Sequence, residues 1–496
     1  MNYISTRNRA VSLTASQAIV RGISEEGGLF VPDEFPVLDA ADFEELKTLD
    51  YMGRAKKILS LFLNDFSDEE VEACVRGAYA GSFEDDQPAP ISRIGSHANV
   101  LELWHGPTCA FKDLALQLLP HLLVTSAKKA SDAKKTVILV ATSGDTGKAA
   151  LEGFRDVPGT EIIVFYPSDG VSSMQKLQMD SQQGGNVHVY SIKGNFDDAQ
   201  SGVKKIFTDR AVKEKLAQNG MRFSSANSIN WGRLAPQIVY YVSAYCDLLA
   251  REEPLDGGFH VVVPTGNFGN ILAAYYAKKM GVPICKLICA SNANRVLTDF
   301  IRTGVYDRNR VFYTTVSPSM DILISSNLER MLFELSGNDD RAVAAMQAEL
   351  AATGKFTVPD DMREKMQALF WGGTCDDSAT LATIRDYFTE YGYLVDTHTA
   401  VALNVYRQYV AQTGDDRVTV IASTASPYKF ADSVLTAIGE DGTGSQFDRV
   451  RRLSEKTGTA VPAPIAALEN AAVRFQTVCE KEQMLDAVYG ALGILP

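Results

Sequence analysis

The chain has 496 residues, of which 46% are hydrophobic and 22% are charged, so it is long enough for about two or three globular domains. Its formal net charge of −13 at pH 7 argues against nucleic acid and anionic membrane surfaces as main partners. No apolar run reaches the roughly 18–20 residues of a membrane span. A small phosphorylated ligand is not excluded, because one pocket can be locally positive.

The first features in chain order concern location and redox state. Residues 2–24 contain three arginines and no acidic residue, as transit peptides do, but residues 27–32 follow as a strand with turns and favour a structural start. The seven cysteines are odd in number and form no Cys-x-x-Cys pair. This pattern favours a reduced, cytoplasmic protein without a structural metal.

The hydrophobic pattern predicts an α/β fold. Residues 33–90 are acidic and helical in pattern, and from about residue 100 to 310 short apolar strands alternate with helices. The predicted strands are 136–141, 161–166, 186–192, 260–263, 283–290 and 418–422. The predicted helices include 148–154, 199–207, 234–251, 271–280 and 296–302, followed by a mostly helical stretch at 320–395. Such alternation is typical of βαβ units and parallel sheets.

The segment 101–113 (LELWHGPTCAFKD) places one lysine at a predicted helix start. A Gly-Pro turn precedes it, and Lys112 opens the apolar helical run 114–119. The helix dipole and the apolar neighbours, Phe111 among them, should both lower the pKa of Lys112. A neutral amine is what Schiff-base chemistry requires, most often with pyridoxal phosphate. The alternative is a lysine that simply snorkels at a helix start.

Residues 142–148 (TSGDTGK) lie between a predicted strand and a helix. The two glycines allow a tight turn, and free N–H groups at the helix start suit an anionic group. The glycine spacing excludes a Walker phosphate loop. An ordinary turn capped by Ser143, Asp145 or Thr146 explains the same residues.

Residues 264–270 (PTGNFGN) also follow a predicted strand. Gly266 and Gly269 allow close approach of the backbone, and Asn267 and Asn270 supply side-chain donors, which suits a phosphate at a helix N-terminus. The loop contains no lysine or arginine, which favours one phosphate monoester over a triphosphate with magnesium. A Gly/Asn-rich turn without a ligand is the alternative.

Two further loops carry candidate ligand-binding residues. Residues 227–233 (NSINWGR) precede the long helix and combine neutral donors with Arg233, which suits a second anion; a helix cap with a surface arginine is the alternative. Residues 423–429 (STASPYK) offer a small hydroxyl that can donate to a ring nitrogen or cap the next helix. In open α/β sheets, ligands bind beyond the carboxyl ends of strands, where all four loops are placed.

With these motifs the sequence closely resembles the threonine synthases, which are fold type II (tryptophan-synthase-β-like) pyridoxal-phosphate enzymes. The resemblance rests on HGPTCAFKD at 105–113, SGDTG at 143–147 and NSIN at 227–230, and it extends over nearly the whole chain. It implies two open, mostly parallel sheets flanked by helices. We expect an N-terminal segment 1–98, an α/β domain 99–245 with the lysine and substrate loops, and a cofactor-phosphate domain 246–496 with a helical insertion at about 317–395.

The resemblance also implies residue roles. Lys112 would bond covalently to pyridoxal 5′-phosphate and act as the base, and Thr424 would face the pyridine nitrogen. The cofactor phosphate would be bound by Gly266, Asn267, Phe268, Gly269 and Asn270. The carboxylate and phosphate of the substrate would be held by Ser143, Asp145, Thr146, Asn227, Ser228 and Arg233. Two positions depart from the expected pattern: Cys109 replaces a larger aliphatic residue, and Ser426 replaces a histidine.

The implied reaction converts O-phospho-L-homoserine and water into L-threonine and phosphate by γ-elimination and β-replacement. The length of the chain and its helical insertion resemble the long bacterial and fungal branch of the family, and this resemblance implies a monomer. A serine/threonine dehydratase is the nearest rival, and the second anion site counts against it. A catalytically silent protein that binds a phosphorylated ligand is a rival of another class, and it would have no use for Lys112.

Overall fold

The N-terminal segment forms a small antiparallel sheet and a set of capped helices. The computed structural model describes residues 1–131, 134–142, 144–168 and 171–495. The first elements are β1 (Tyr3–Ser5), β2 (Asn8–Leu13), α1 (Ala15–Arg21), β3 (Phe30–Pro32), α2 (Ala40–Thr48), α3 (Tyr51–Phe62) and α4 (Asp68–Tyr79). The strands pair in the order β2-β1-β3. Each of these helices follows a Thr, Asp or Ser whose side chain accepts a helix N–H group, and this N-cap fixes where the helix begins.

The rest of the chain alternates strands and helices. The strands are β4 (Ile91–Ile94), β5 (Ala98–Glu102), β6 (Lys135–Ala141), β7 (Thr160–Pro167), β8 (Val187–Lys193), β9 (Met221–Ser224), β10 (Phe259–Pro264), β11 (Ile284–Ser291), β12 (Val305–Asp307), β13 (Lys355–Thr357), β14 (Phe370–Thr374), β15 (Thr419–Ser423) and β16 (Val478–Glu480).

The helices lie between these strands and after them. They are α5 (Asp113–Leu116), α6 (Leu119–Lys129), α7 (Asp145–Phe154), α8 (Ser173–Asp180), α9 (Phe196–Thr208), α10 (Arg210–Gln218), α11 (Trp231–Ala250), α12 (Gly269–Lys279), α13 (Val296–Thr303), α14 (Leu328–Leu335), α15 (Asp340–Thr353), α16 (Asp360–Leu369), α17 (Asp377–Tyr391), α18 (Thr397–Thr413), α19 (Ala431–Ala437), α20 (Gln446–Thr457), α21 (Ala463–Ala466) and α22 (Met484–Leu492). Within the described ranges, no helix has both the length and the apolar character needed to cross a membrane.

Two mostly parallel sheets organise these elements. The smaller sheet has the order β16-β8-β7-β6-β9 with parallel pairs throughout. The larger sheet has the order β14-β11-β10-β15-β5-β4, in which the β4–β5 edge pair is antiparallel. Helix α9 packs on β6 and β7, and α18 packs on β10, β11 and β15. The predicted α/β fold with two open, mostly parallel sheets is confirmed.

Helix α11 joins the N-terminal segment to the rest of the core. Its first residue, Trp231, is fully buried, and its ring lies 5.2 Å from Tyr3, 5.6 Å from Phe62 and 6.0 Å from Tyr276, measured between ring centroids. These contacts come from β1, α3 and α12, so they fix the start of α11 from three directions. Arg233 lies on this fixed first turn.

The structure differs from the sequence prediction at several places, among them strands β4, β5, β9 and β16, which were not predicted. The apolar run 114–119 is broken, because α5 ends at Leu116 and α6 begins at Leu119; Pro120 in the first turn of α6 suits a helix start, where its missing N–H costs nothing. The predicted helical stretch 320–395 also contains β13 and β14, and β14 pairs with β11. The Gly-Gly pair inside β14 weakens the strand pattern in the sequence.

The chain crosses between the two sheets. Strand β5, near the start of the predicted segment 99–245, lies in the larger sheet, whereas β16, from the predicted segment 246–496, lies in the smaller one. Each of the two sheets therefore contains strands from both predicted segments. The domain division itself stays a prediction.

We expect the aromatic contact at α11 to be a large contributor to stability. Phe62 is fully buried, so Phe62→Ala should lower the free energy of unfolding by about 3–5 kcal/mol because it leaves a cavity. Phe312 is 53% exposed, and Phe312→Ala is the matched control, with an effect below about 0.5 kcal/mol. Urea titration of both variants measures the difference, and equal effects would contradict this account of the core.

Candidate active site

Lys112 lies in the connection between β5 and α5, against the end of β15. The N–H group of Leu103 donates to the carbonyl of Ser423, and that of Phe111 donates to the carbonyl of Thr424, each at 2.9 Å. These two bonds fix the connection at both of its ends. The side chain of Lys112 is 12% exposed, and its Nζ lies 5.0 Å from the ring centroid of Phe111.

The pKa of Lys112 is lowered, as the sequence predicted. Burial is the main cause, and the positive charges of Lys429 and Arg233 act in the same direction, while Asp145 opposes them. Lys112 precedes α5, a single turn of four residues that is soon followed by α6, and the contribution expected from the helix dipole stays a prediction. The amine is therefore disposed to be neutral by its tertiary environment.

Asp145 is a buried carboxylate that faces two lysines. Its Oδ1 lies 2.6 Å from Lys429 Nζ and its Oδ2 lies 3.7 Å from Lys112 Nζ. Burial alone would raise the pKa of Asp145, but the two lysines outweigh it and hold that pKa well below its ordinary value. Gln175 Nε2 also donates to Oδ1 at 2.9 Å, so the carboxylate is ionised and closely held.

Lys429 was part of a quoted motif but was not predicted to be a site residue. Its side chain is fully buried, and besides facing Asp145 it donates to the carbonyl of Thr108 at 2.9 Å. The available signal was a lysine six residues after the carboxyl end of a buried strand. Without the fold, nothing in the sequence connects that lysine to Asp145.

The turn before Lys112 is held by Asp113. The N–H and hydroxyl groups of Thr108 donate to the two carboxylate oxygens of Asp113, at 2.8 Å and 2.6 Å. Burial raises the pKa of Asp113 to about 6. Cys109 within this turn has φ of +57°, a left-handed conformation that L-residues rarely adopt. Its carbonyl accepts from the N–H of Ser426 at 3.1 Å, so the two departures from the expected pattern touch each other.

The loop 264–270 offers a set of free backbone donors. Among the described residues, the N–H groups of residues 266–271 have no hydrogen-bond acceptor. Phe268, just before α12, has φ of +61°, an uncommon conformation for a bulky residue. A Cβ on Gly266 would lie 3.0 Å from the carbonyl oxygen of Ser319, so this glycine meets a close backbone neighbour. The arrangement suits an anion at a helix N-terminus.

Asn270 adds a side-chain donor to this loop. Its Oδ1 accepts from the hydroxyl of Tyr240 at 2.8 Å and from that of Tyr241, which fixes the amide. Its buried Nδ2 has no hydrogen-bond partner among the described residues. Such an unpaired donor is rare in a folded protein, and it is accounted for if a ligand oxygen lies beside it.

The start of α11 carries a second positive group. Asn230 caps the helix by accepting from the N–H of Gly232 at 2.9 Å. Arg233 is 3% exposed, which rules out the alternative of a surface arginine, and burial lowers its pKa to about 10. Its guanidinium donates to the carbonyl of Ala226 at 2.6 Å, while its buried Nε has no partner in the described part of the chain. Asn227 is exposed and Ser228 is half-buried.

The loop 142–148 is capped by a residue that the sequence analysis did not name. Thr142 Oγ1 accepts from the N–H groups of Gly144 and Gly147, each at 3.0 Å. Gly144 has φ of +146°, and a Cβ there would lie 2.4 Å from Gln175. Thr146 is half-buried, and Ser143 lies outside the described residues. The N-cap residue of α7 is Gly144, which makes no side-chain cap bond.

A turn at Pro318–Met320 lies between Asp145 and the loop 264–270. Ser319 Oγ donates to Asp145 Oδ2 at 3.3 Å, and the Ser319 N–H donates to His398 Nε2 at 3.1 Å. His398 Nδ1 lies 2.7 Å from Asp396 Oδ2, so its other nitrogen is left as the acceptor. No sequence signal identified Ser319 or His398, since both lie far from the motifs.

Thr424 is a buried residue that directly follows β15. It is 6% exposed, and its backbone carbonyl is already occupied by Phe111. Its hydroxyl has no hydrogen-bond partner among the described residues. The structure thus brings Lys112, Asp145, Arg233 and Thr424 towards one region, while their roles stay predictions.

Comparisons with known proteins agree with one family. Three family models match in chain order: Threonine synthase N terminus at residues 2–79, Pyridoxal-phosphate dependent enzyme at 100–360, and Threonine synthase, C-terminal at 399–488. The chain is similar to Threonine synthase-like 1 of Homo sapiens, with 40% identity over 85% of this chain and 58% of that protein. It therefore spans less than two thirds of that relative's length.

Other relatives match over most of both lengths. Threonine synthase of Pseudomonas aeruginosa is 38% identical over 88% of this chain and 90% of that protein. A crystal structure of threonine synthase from Brucella melitensis with bound pyridoxal phosphate has 36% identity, covers 99% of both chains and superimposes with a TM-score of 0.88. The agreement covers sequence and fold together.

His105, at the start of the lysine motif, allows a test of this region by pH. Its ring nitrogens lie 2.8 Å from Glu84 and 2.7 Å from Glu102. Burial alone would lower the pKa of His105, but the hydrogen bonds that its ring donates to Glu102 and Glu84 outweigh it, so the pKa is raised.

We expect the contribution of His105 to stability to fall with rising pH. A group whose pKa is raised on folding contributes fully below its unfolded value of about 6.5 and loses the contribution as pH rises through the folded value. The difference in free energy of unfolding between the wild type and His105→Gln should therefore shrink between about pH 6 and pH 9. Urea titrations at several pH values measure it, and a constant difference would contradict the assignment.

Proposed function

Because the chain belongs to the threonine synthase family of pyridoxal-phosphate-dependent enzymes, we propose that it converts O-phospho-L-homoserine and water into L-threonine and phosphate. The observation that carries the proposal is a buried amine, Lys112, set close to a buried, incompletely paired arginine, Arg233. The second anion site lies in the unpaired N–H groups of residues 266–271. One amine and two anion-binding groups match a phosphorylated cofactor and a phosphorylated substrate.

The residues present fit pyridoxal 5′-phosphate. Lys112 would bond to its aldehyde, the N–H groups of residues 266–271 would hold its phosphate, and the hydroxyl of Thr424 would face its ring nitrogen. The unpaired Nδ2 of Asn270 supplies a further donor beside that loop. When bound, the cofactor supplies an electron sink that stabilises a carbanion at the substrate Cα.

Lys112 is the group that would move protons. Its lowered pKa makes the free amine available to take the Cα proton of the substrate and to return it later in the reaction. The carbonyl contacts at Ser423 and Thr424 keep its backbone in place. The backbone that carries the Lys112 side chain is thus held in place.

The substrate anions would be bound at the start of α11 and α7. Arg233 would stabilise the departing phosphate, because a buried guanidinium pairs strongly with a phosphate in a site that excludes water. Neutral donors from Ser143, Thr146, Asn227 and Ser228 would hold the carboxylate and the phosphate. For Asp145 we propose a different role from anion binding, since a carboxylate repels both anions and is paired with lysines.

Location and oligomeric state complete the proposal. All seven cysteines are free, and six of them are buried, which suits a reducing compartment; we propose the cytoplasm. A monomer is proposed from the likeness to the long branch of the family. Light scattering of the purified full chain measures the mass directly.

We expect Lys112→Ala to abolish both cofactor attachment and turnover. Removing the amine removes the group that bonds to the cofactor and carries the protons. The wild type should show a visible absorption band with pyridoxal phosphate, which the variant should lack. The matched control is Lys148→Ala, another buried lysine, which pairs with Glu152 at 3.0 Å; an unchanged visible spectrum in Lys112→Ala would overturn the assignment.

We expect phosphate release and threonine formation to be equal in amount with O-phospho-L-homoserine as substrate. Arg233→Met should lower kcat/KM by about 10- to 100-fold, since charge-assisted bonds contribute about 1.5–3 kcal/mol. Arg210, whose side chain is 91% exposed, gives the control variant Arg210→Met. Formation of a 2-oxo acid from serine or threonine, without action on the phosphorylated substrate, would identify a dehydratase instead.

A further inference from the structure

Two buried lysines share one buried carboxylate in the candidate site. Asp145 Oδ1 lies 2.6 Å from Lys429 Nζ, and its Oδ2 lies 3.7 Å from Lys112 Nζ. The shorter contact goes to the lysine that the proposed chemistry does not use. Lys429 is also the more deeply buried of the two, with a fully buried side chain against 12% exposure for Lys112.

A lysine beside a lone buried carboxylate would be a poor base. The attraction favours the ammonium form, and in a buried site it is strong. An ammonium ion can neither bond to an aldehyde nor accept a proton. A catalytic lysine next to Asp145 therefore needs something that weakens the pull of this carboxylate.

We propose that Lys429 is a positioning residue that serves as the counter-ion of Asp145 and thereby leaves the amine of Lys112 free to react. This inference rests on the proposed function, because it takes Lys112 as the residue that bonds to the cofactor.

The geometry around Lys429 supports this role. Its Nζ is directed by a second bond to the carbonyl of Thr108, and Thr108 is in turn fixed by Asp113. Lys429 lies in the turn Pro427–Phe430 that Ser426 precedes, and the N–H of Ser426 donates to the carbonyl of Cys109. The ammonium group is thus held from the β15 side and from the lysine-motif side at once.

The charged groups around Lys112 set the sign of the effect. Asp145 favours the ammonium form, whereas Lys429 and Arg233 disfavour it. The carboxyl group of Asp113 interacts electrostatically with Lys429 and with Arg233. Removing Lys429 therefore deletes one positive neighbour and also leaves Asp145 with Lys112 as its remaining lysine.

The test follows the rate at which pyridoxal phosphate bonds to the cofactor-free full chain, measured as growth of the visible band over a range of pH. In the wild type the rate should decrease, which we call the fall, when the pH drops below the value at which Lys112 becomes protonated. In Lys429→Met this fall should move to higher pH by about one unit or more. Lys429→Arg keeps the charge and should keep the fall near the wild-type position.

Two further variants separate charge from packing. Lys148→Met removes a different buried lysine, which lies on α7 and pairs with Glu152. It should leave the pH of the fall unchanged. If Lys429→Met does not fold, Asp145→Asn is compared with Asp145→Asn/Lys429→Met, in which no buried carboxylate at 145 is left unpaired. In Asp145→Asn the fall should move to lower pH than in the wild type, because the pull of the carboxylate on Lys112 is lost. Adding Lys429→Met should then change it little, because Lys429 acts through Asp145, and a large further shift would overturn the counter-ion role.

The outcomes keep the two proposals distinct. A visible band whose pH dependence is the same with and without Lys429 would overturn the role of Lys429 and leave Lys112 as the cofactor lysine. The absence of any visible band in the wild type would instead overturn the proposed function. A shift produced equally by Lys148→Met would show a general loss of packing and would also overturn the inference.

Discussion

The ionised carboxylate of Asp145 constrains the site more than any other group. Burying a charge is costly unless it is paired and hydrogen-bonded, and removing one partner of a buried pair costs about 3–5 kcal/mol. Asp145 meets this demand with Lys429, Gln175 and Ser319. These partners come from three separate stretches of chain, so satisfying one charge draws the parts of the molecule together at Lys112.

The same carboxylate joins the two sheets. Asp145 begins α7 after β6 of the smaller sheet, whereas Lys429 follows β15 of the larger sheet. Ser319 belongs to the stretch between β11 and β14, and its N–H is held by His398. The candidate site therefore lies where both sheets present the carboxyl ends of their strands, as open α/β sheets generally do.

Backbone strain and unpaired donors mark the same region. Cys109 and Phe268 have positive φ angles, and the N–H groups of residues 266–271, with Arg233 Nε and Asn270 Nδ2, have no acceptor in the described part of the chain. Folding alone would avoid such costs. Those near Lys112 and the start of α12 lie beside loops that suit anionic ligands.

The sequence by itself determined the alternation of strands and helices, because a buried strand and an amphipathic helix each have a period that their residues display. It also indicated Lys112 and the Gly-rich loops as candidate site residues, since short motifs carry their own local geometry. Among the strands that it missed is β14, whose glycines hide the pattern. Only the tertiary structure decided that Lys429 and Ser319 face Asp145. The partners of a buried charge can lie hundreds of residues apart in the chain, and a local sequence pattern does not predict such pairs.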